Sequence, residues 1–414
     1  MKSFYLFISL LAFTTTTSAI DRFVDPFVSV GNGTTIFPTI TSAVSAAVEG
    51  DRILIVPASY NEPALTINKS LTLLSQTEGG IVNYNANINI SGFSTMKLQI
   101  IGFNLGSYII NGNTVTSGSN SNRAILSLIN CTMSGLNINN PFYDLNCIGS
   151  KVNGNLNMTY GSVVTTNVTG NFFVLDETGS NTTGKVFIVQ DTINGRFNYN
   201  NDNHTLTLCN NLLRDLYIWS WNSLTTNTNK ILNNDFFSNC YLFLPFGGTI
   251  PGYNFDFSNN QFLGAVYFYN GGDYYVGYPT YNYFYRYGTN SETGSPFSTS
   301  TSSFPNPSVS GFFKWTYNGI DLPCTVPVSG YPLVLTKVIG SAGTNNTGNP
   351  AHDYYDIDLT VNNRGRTGGP YGIGNYQPSI NPSNGKAFIF DLDIPADLYP
   401  GQSVNINAKG YHKN

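Results

Sequence analysis

Val152-Asn-Gly154-Asn-Leu156-Asn-Met158, Val168-Thr-Gly170-Asn-Phe172-Phe-Val174 and Ile193-Asn-Gly195-Arg-Phe197-Asn-Tyr199 share one frame. An apolar residue is followed two places later by Gly or a polar residue, two after that by a second apolar residue, and then by alternation. Leu212-Leu-Arg214-Asp-Leu216-Tyr-Ile218, Phe236-Phe-Ser238-Asn-Cys240-Tyr-Leu242 and Phe262-Leu-Gly264-Ala-Val266-Tyr-Phe268 repeat it, and Met133-Ser-Gly135-Leu-Asn-Ile138 is a copy one residue short. The first apolar positions, Met133, Val152, Val168, Ile193, Leu212, Phe236 and Phe262, are separated by 19, 16, 25, 19, 24 and 26 residues. Alternation with period two is the mark of a strand. An irregular repeat of about 20–25 residues predicts a β-solenoid with one coil per copy. Asn130, Asn167, Asn210, Asn234 and Asn260 stand at or just before the copies. Asn tolerates left-handed backbone angles, which suits tight corners there.

The frame extends toward the N-terminus. Ile88-Asn-Ile90 and Leu98-Gln-Ile100-Ile-Gly-Phe103 read as two further coils, and 111–122 as a protruding polar loop. Before them, Thr39 or Thr41 can cap a short helix with Ile40, Ala43, Val44, Ala47 and Val48 on one face. Gly50-Asp51 ends it, Ile53–Val56 is a buried strand, and Tyr60-Asn-Glu62 and Leu65-Thr-Ile67-Asn-Lys-Ser-Leu71-Thr-Leu73 follow. An open end of stacked coils exposes hydrogen-bonding edges and apolar interior, which a capping helix covers.

This succession of helix, Gly-Asp-Arg-Ile strand, Tyr-x-Glu turn and LTINKSLTL resembles the N-terminal cap of right-handed parallel β-helix proteins of the pectin-lyase-like superfamily, pectin methylesterase-like proteins among them. Toward the C-terminus, Gly348-Asn-Pro350, Asp356-Ile-Asp358-Leu-Thr360 and Asn362-Asn-Arg-Gly365-Arg-Thr-Gly368-Gly-Pro370 resemble the closing coil of bacterial secreted β-helix proteins of uncharacterised role. The resemblance implies an all-β chain. A right-handed parallel β-helix (solenoid) spans 20–270, with its short N-terminal cap helix. A Tyr/Ser/Pro-rich loop region covers 271–320. A closing coil and a small C-terminal β cap, with strands near Lys386–Ile394 and Gln402–Ala408, fill 321–414.

The superfamily's chemistry is not visible in the residues. The motifs that carry the esterase's paired Asp, Arg and Gln are absent, and Gly195-Arg196-Phe197 does not match them. The acids of the coils, Asp144, Asp176, Glu177, Asp191, Asp202, Asp215, Asp235 and Asp256, are scattered singly. Asp191 and Asp235 read as turn-forming residues beside the Asn of other coils. His204, His352 and His412 have no metal-ligand spacing, and Asp353, Asp356 and Asp358, near Asn362, read as a solvated acidic strand, with a Ca²⁺ site as the alternative. Arg364 and Arg366 are expected to pair with those acids or with tail carbonyls. No catalytic residue, metal or cofactor is expected. A polysaccharide lyase or glycoside hydrolase would need an acid/base cluster on one face of adjacent coils.

Strand parity does assemble one group. If Leu216, Cys240 and Val266 point inward, then Tyr217, Tyr241 and Tyr267 point outward, as do Trp219, Phe243 and Tyr269. Coils stacked about 4.8 Å apart turn these into two adjacent ladders of rings, with Trp221 extending the first coil's row. Such platforms suit sugar rings, whose apolar faces stack on them while neighbouring amides bind hydroxyls. The rival reading is that 271–317 or the C-terminal cap folds over the rings and makes them core.

The setting agrees with an extracellular protein. Met1-Lys2, an apolar run from Phe4 to Phe13 and small polar residues to Ala19 have the order of a secretory signal, cleaved after Ala19. The run is too short to span a bilayer. Only 10% of the 414 residues are charged, the net charge is −4, and there is no basic stripe for nucleic acid. With 41% apolar and 14% aromatic residues, disorder is not expected. Of Cys131, Cys147, Cys209, Cys240 and Cys324, most are expected to be small buried residues, with a Cys131–Cys147 disulfide open as an alternative. The expected function is a non-catalytic secreted or cell-surface protein that binds a polysaccharide or cell-surface glycan. The alternatives are the lyase or hydrolase above and a purely structural or adhesive surface role.

Overall fold

The computed structural model describes residues 19–258 apart from 78, 116–121, 176–183, 201–203, 221–228, 237, 239 and 244–254, and beyond 258 only the pieces 260–262, 266–269, 283–284, 288–289, 312–313, 316–317, 320–321, 366, 369, 388–393 and 407–411. Within these residues, period-two alternation becomes strand and every strand of two long sheets pairs in parallel with the equivalent strand one copy away. The 12-stranded sheet starts with Ile36–Phe37 at its edge and then runs in chain order from Asp21–Val24 to Phe255–Ser258. The 19-stranded sheet takes the remaining strands of each copy, from Ser59–Tyr60 to Tyr283–Phe284. Each copy therefore contributes to both sheets before the chain advances one level. The chain is all-β with very little helix, in long parallel sheets consistent with a β-helix.

The register realises the sequence frame. Met133, Val152, Val168, Ile193, Leu213, Phe236 and Phe262 stand opposite one another in succession. Leu136, Leu156, Phe172, Phe197, Leu216, Cys240 and Val266 form the next row. Val168, Phe172, Phe197 and Leu216 are wholly buried. Phe172 and Phe197 meet edge to face, with centroids 5.1 Å apart. In the fifth copy the aligned residue is Leu213, not Leu212. That corner has one residue fewer before Leu216, and Leu212 falls opposite Thr192 and Asp235 instead. In two of the longer corners Gly170 and Gly195 sit where there is no room for a side chain. A Cβ on Gly170 would run into the backbone of Gly154, and one on Gly195 into that of Gly170.

A tight corner follows each strand of the 12-stranded sheet from Lys97–Ile101 to Asn229–Leu232. One residue per copy there has positive φ: Gly102 (72°), Asn130 (51°), Gly149 (58°), Thr165 (51°), Gln190 (60°), Asn210 (58°) and Asn233 (56°). Asn130 and Asn210 hold the predicted corner role. Asn234 and Asn260 do not; they come just after the corner and are buried. Asn167 is an exposed strand residue. Thr165 and Gln190 occupy a region that costs a non-Gly residue about 1–2 kcal/mol.

What offsets that cost is a buried ladder one residue further on. The side chains of Cys131, Ser150, Thr166, Asn211, Asn234 and Asn260 donate to the carbonyls of Ile100, Leu128, Cys147, Ile188, Leu208 and Ile231, each one coil back. Their oxygens receive the backbone N–H of the ladder residue below: Cys131 to Ser150, Asp191 to Asn211, Asn211 to Asn234, and Asn234 to Asn260. Buried corners leave backbone groups that strands cannot satisfy, and the ladder satisfies them. Asp191 is a ladder member and wholly buried, in the corner between Gly184–Val189 and Thr192–Asn200, where its N–H donates to Asn211 of the next coil. Cys131 and Cys147 are buried free thiols, which sets aside the disulfide between them, and Cys209 and Cys240 are buried as well.

At the N-terminal end the helix Ile40–Ala46 buries Ile40, Ala43 and Val44 against the strands Asp21–Val24, Ile36–Phe37 and Arg52–Ile55. Thr39 is its N-cap and accepts from the Ser42 N–H at 3.1 Å. Glu62 accepts from the N–H groups of Ile40 and Thr41, both at 2.8 Å. Lys69 Nζ donates to the carbonyls of Val44, Ser45 and Ala47 at 3.1, 2.9 and 2.7 Å. The charges match the helix ends they meet. In the C-terminal region Phe388–Asp393 pairs antiparallel with Asn407–Tyr411.

Candidate functional site

Parity on the strand Leu212–Ser220 is as expected: Leu216 and Ile218 are buried and Tyr217 between them is partly exposed. Tyr217 stands opposite Asn198 of the preceding coil and Tyr241 of the next, and Tyr241 opposite Tyr267. Phe243 stands opposite Tyr269. Trp219 lies where the register with the preceding coil shifts, between Ile218 opposite Tyr199 and Ser220 opposite Asn200. The side chains of Trp219, Tyr241, Phe243, Tyr267 and Tyr269, and the whole of Trp221, lie outside the described residues, as does most of 271–317.

The first ring of the row has a neighbour that the sequence reading missed. The Arg196 guanidinium carbon lies 3.8 Å from the centroid of Tyr217. Arg196 is exposed, and its backbone N–H donates to Asn171 Oδ1 at 2.9 Å. Parity with Asn198 places Arg196 on the outer side, which is the signal that could have found it. Arg196 stands opposite Asp215, and Arg214 Nε is 3.7 Å from Asp215 Oδ2. A planar cation on a ring face contributes about 0.5–1 kcal/mol at an exposed site.

The row itself changes character along the stack. Asn89, Asn111, Asn137 and Asn157 precede Phe173, Asn198 and Tyr217 in the same register column. Asn111 donates to Asn89 Oδ1 at 3.3 Å and Asn157 to Asn137 Oδ1 at 3.4 Å. An outer column of amides thus runs into a column of aromatic residues.

A second grouping lies beside the 12-stranded sheet. The Arg123 guanidinium carbon is 3.8 Å from the Tyr160 centroid, and the Tyr160 and His204 rings are 5.2 Å apart. Arg123 Nε donates to the Pro141 carbonyl at 2.8 Å. His204 is wholly buried, and burial, with the Arg123 charge adding to it, pushes its pKa down to about 3. A histidine held neutral so far below pH 7 is a poor general base. Among the described residues no group of three His, Cys, Asp or Glu is placed to hold a metal ion. Asp353, Asp356, Asp358 and Arg364 lie outside the described residues.

Arg366 docks on the coils. Its carbonyl accepts from Asn210 Nδ2 at 3.0 Å and its N–H donates to Asp235 Oδ1 at 3.3 Å. Asp235 is a wholly buried strand residue, so its reading as a turn residue is corrected. Burial pushes its carboxyl up to about 7, against the opposing pull of Arg366. Ile129, Ile148, Val164, Phe187, Val189 and Cys209 form a second buried apolar cluster, apart from the main core.

Comparisons of the chain with protein-family models, with curated proteins and with solved structures return no match. Among the described residues no helix is long and apolar enough to cross a membrane.

Proposed function

We propose that the chain is a secreted or cell-surface protein, built as a right-handed parallel β-helix of the pectin-lyase-like kind, that binds a glycan without catalysis. The helix Ile40–Ala46 closes its first coil, and the antiparallel pair near the C-terminus serves as the closing cap. The binding surface is the outer column that includes Tyr217, Tyr241 and Tyr267, with Trp219, Trp221, Phe243 and Tyr269 beside it. One observation carries the reading: Tyr217, Tyr241 and Tyr267 align in register on successive coils, and a guanidinium lies on the first ring. Rings at the coil spacing of about 4.8 Å offer a flat platform to sugar rings. Arg196 and the preceding amides offer donors to hydroxyls. Stacking contributions of about 1 kcal/mol per ring would add up to weak micromolar-to-millimolar affinity for a polymer.

A purely structural or adhesive role is the second reading. The buried cluster around Val164 and Val189 favours it, because there a surface outside the main core is closed over. The test is retention on polysaccharide columns of the Tyr241→Ala/Phe243→Ala variant, together with its melting temperature. Lost retention with unchanged melting supports glycan binding. Melting far below the wild type makes the rings core and supports the structural reading.

A further inference from the structure

Ile20 is tied down on both sides of its backbone. Its N–H donates to Asp51 Oδ1 at 2.9 Å, and its carbonyl accepts the Arg52 N–H at 3.1 Å. The carboxylate is wholly buried and also receives the Val48 N–H at 2.9 Å and Arg22 Nε at 2.5 Å, both on Oδ2. Ala19 and Ile20 are themselves exposed, so the peptide bond between them is at the surface. That bond is also where the small-residue stretch Thr17-Ser-Ala19 of the secretory leader ends.

We propose that Ala19–Ile20 is a processing site whose cleavage turns Ile20 into an ionic partner of Asp51. The inference rests on the secretory reading above. In the step, a leader peptidase adds water across the amide. The hydroxyl goes to the Ala19 carbonyl carbon, the C–N bond breaks, and the nitrogen keeps the electron pair. The nitrogen takes the water's other proton, and the acid proton of the new Ala19 carboxyl passes to it as well. Ala19 leaves as a carboxylate and Ile20 remains as an ammonium.

The nitrogen need not move. It changes from one neutral donor into three donors with a full charge, already in place against a buried carboxylate. Charge-assisted bonds of this kind are roughly twice as strong as neutral ones. Asp51 then joins two cations, the Ile20 ammonium and the Arg22 guanidinium, to the turn at Val48. The ionisable groups around the amine are Asp51, Asp21 and Arg22 on its own strand, and Arg52 on the next, whose Nε is 3.6 Å from Asp21 Oδ1. Maturation would thus tighten the first coil, and an uncleaved leader or an added tag would forgo the charge.

The test compares two full-length mature chains, one beginning at Ile20 and one carrying Gly-Ser before it. The chain beginning at Ile20 should melt a few degrees higher at pH 7, and Asp51→Asn should remove the gap. The amine paired with Asp51 is expected to titrate above the usual α-amino range of about 7.7–8.0. Its contribution is therefore present below that range and lost as pH rises through the folded value. Should Asp51→Asn fail to fold, the carbamylation rate of the α-amine against pH reads the same titration directly. Equal melting of the two chains with an ordinary amine titration overturns the pairing and leaves the leader intact as a reading. Exported protein whose N-terminal sequence starts elsewhere than Ile20 overturns the processing site itself.

Discussion

The side-chain oxygen of Asn234 accepts two hydrogen bonds from Asn211, one from its backbone N–H at 2.9 Å and one from its side-chain amide at 3.0 Å. Asn234 Nδ2 meanwhile donates to the Leu208 carbonyl at 2.8 Å. Asn234→Leu has the right size but leaves the buried Asn211 N–H and Leu208 carbonyl unpaired. Each costs about 1–3 kcal/mol, so the loss should be on the order of 2 kcal/mol or more. Urea unfolding measures it; a loss below about 1 kcal/mol would show that the ladder is dispensable.

Asp191 holds the ladder position whose counterparts donate to a carbonyl one coil back. Burial drives its carboxyl well above the usual range, against the hydrogen bond from the Thr166 N–H. A group raised on folding contributes stability below its unfolded pKa of about 3.9, and loses it as pH rises through the folded value. Asn cannot ionise, and its amide can donate as Asn211 does. Asp191→Asn should therefore be at least as stable as the wild type at neutral pH, with an advantage that grows as pH rises. Unfolding curves across pH decide it, and an advantage growing toward acid would contradict the argument.

Gly170→Ala should cost about 1–3 kcal/mol, because its methyl group meets the backbone of Gly154 one coil away and the stack must shift. Gly106→Ala is a useful contrast. Its φ is +59° but nothing lies near the new methyl group, so only the backbone cost of about 1–2 kcal/mol remains. Thermal melts of both variants separate steric from torsional cost.

Lys69→Met should loosen the helix Ile40–Ala46, which loses a cation bonded to three carbonyls at its end. The expected loss is about 1.5–3 kcal/mol. Amide exchange should speed up in 40–47 before it does in the strands of the later coils. Uniform acceleration along the chain would instead mean that the helix and coils unfold as one.

Arg196→Ala should weaken retention on any polysaccharide column that holds the wild type, while changing stability by no more than about 1 kcal/mol, as befits an exposed cation–ring contact. Full retention would remove Arg196 from the binding surface.

Much of the coil was readable in one dimension because strands have a period of two. Val152, Leu156 and Met158 are inward by parity, and the alignment of Tyr217, Tyr241 and Tyr267 follows from the same count. Parity counts positions but not corner lengths. That is why Leu213, beside an equally apolar Leu212, takes the aligned place before a corner one residue shorter. Nor does residue type separate roles one position apart. Asn210 turns the chain with positive φ, while Asn211 points inward and joins the ladder. The contact of Arg196 with Tyr217 depends on which residue of one coil lies against the next. The docking of Arg366 on Asp235 joins positions 131 residues apart. Local pattern sets a strand's two faces through the geometry of its own backbone. Which chain lies against each face depends on stacking distances that only the folded molecule contains.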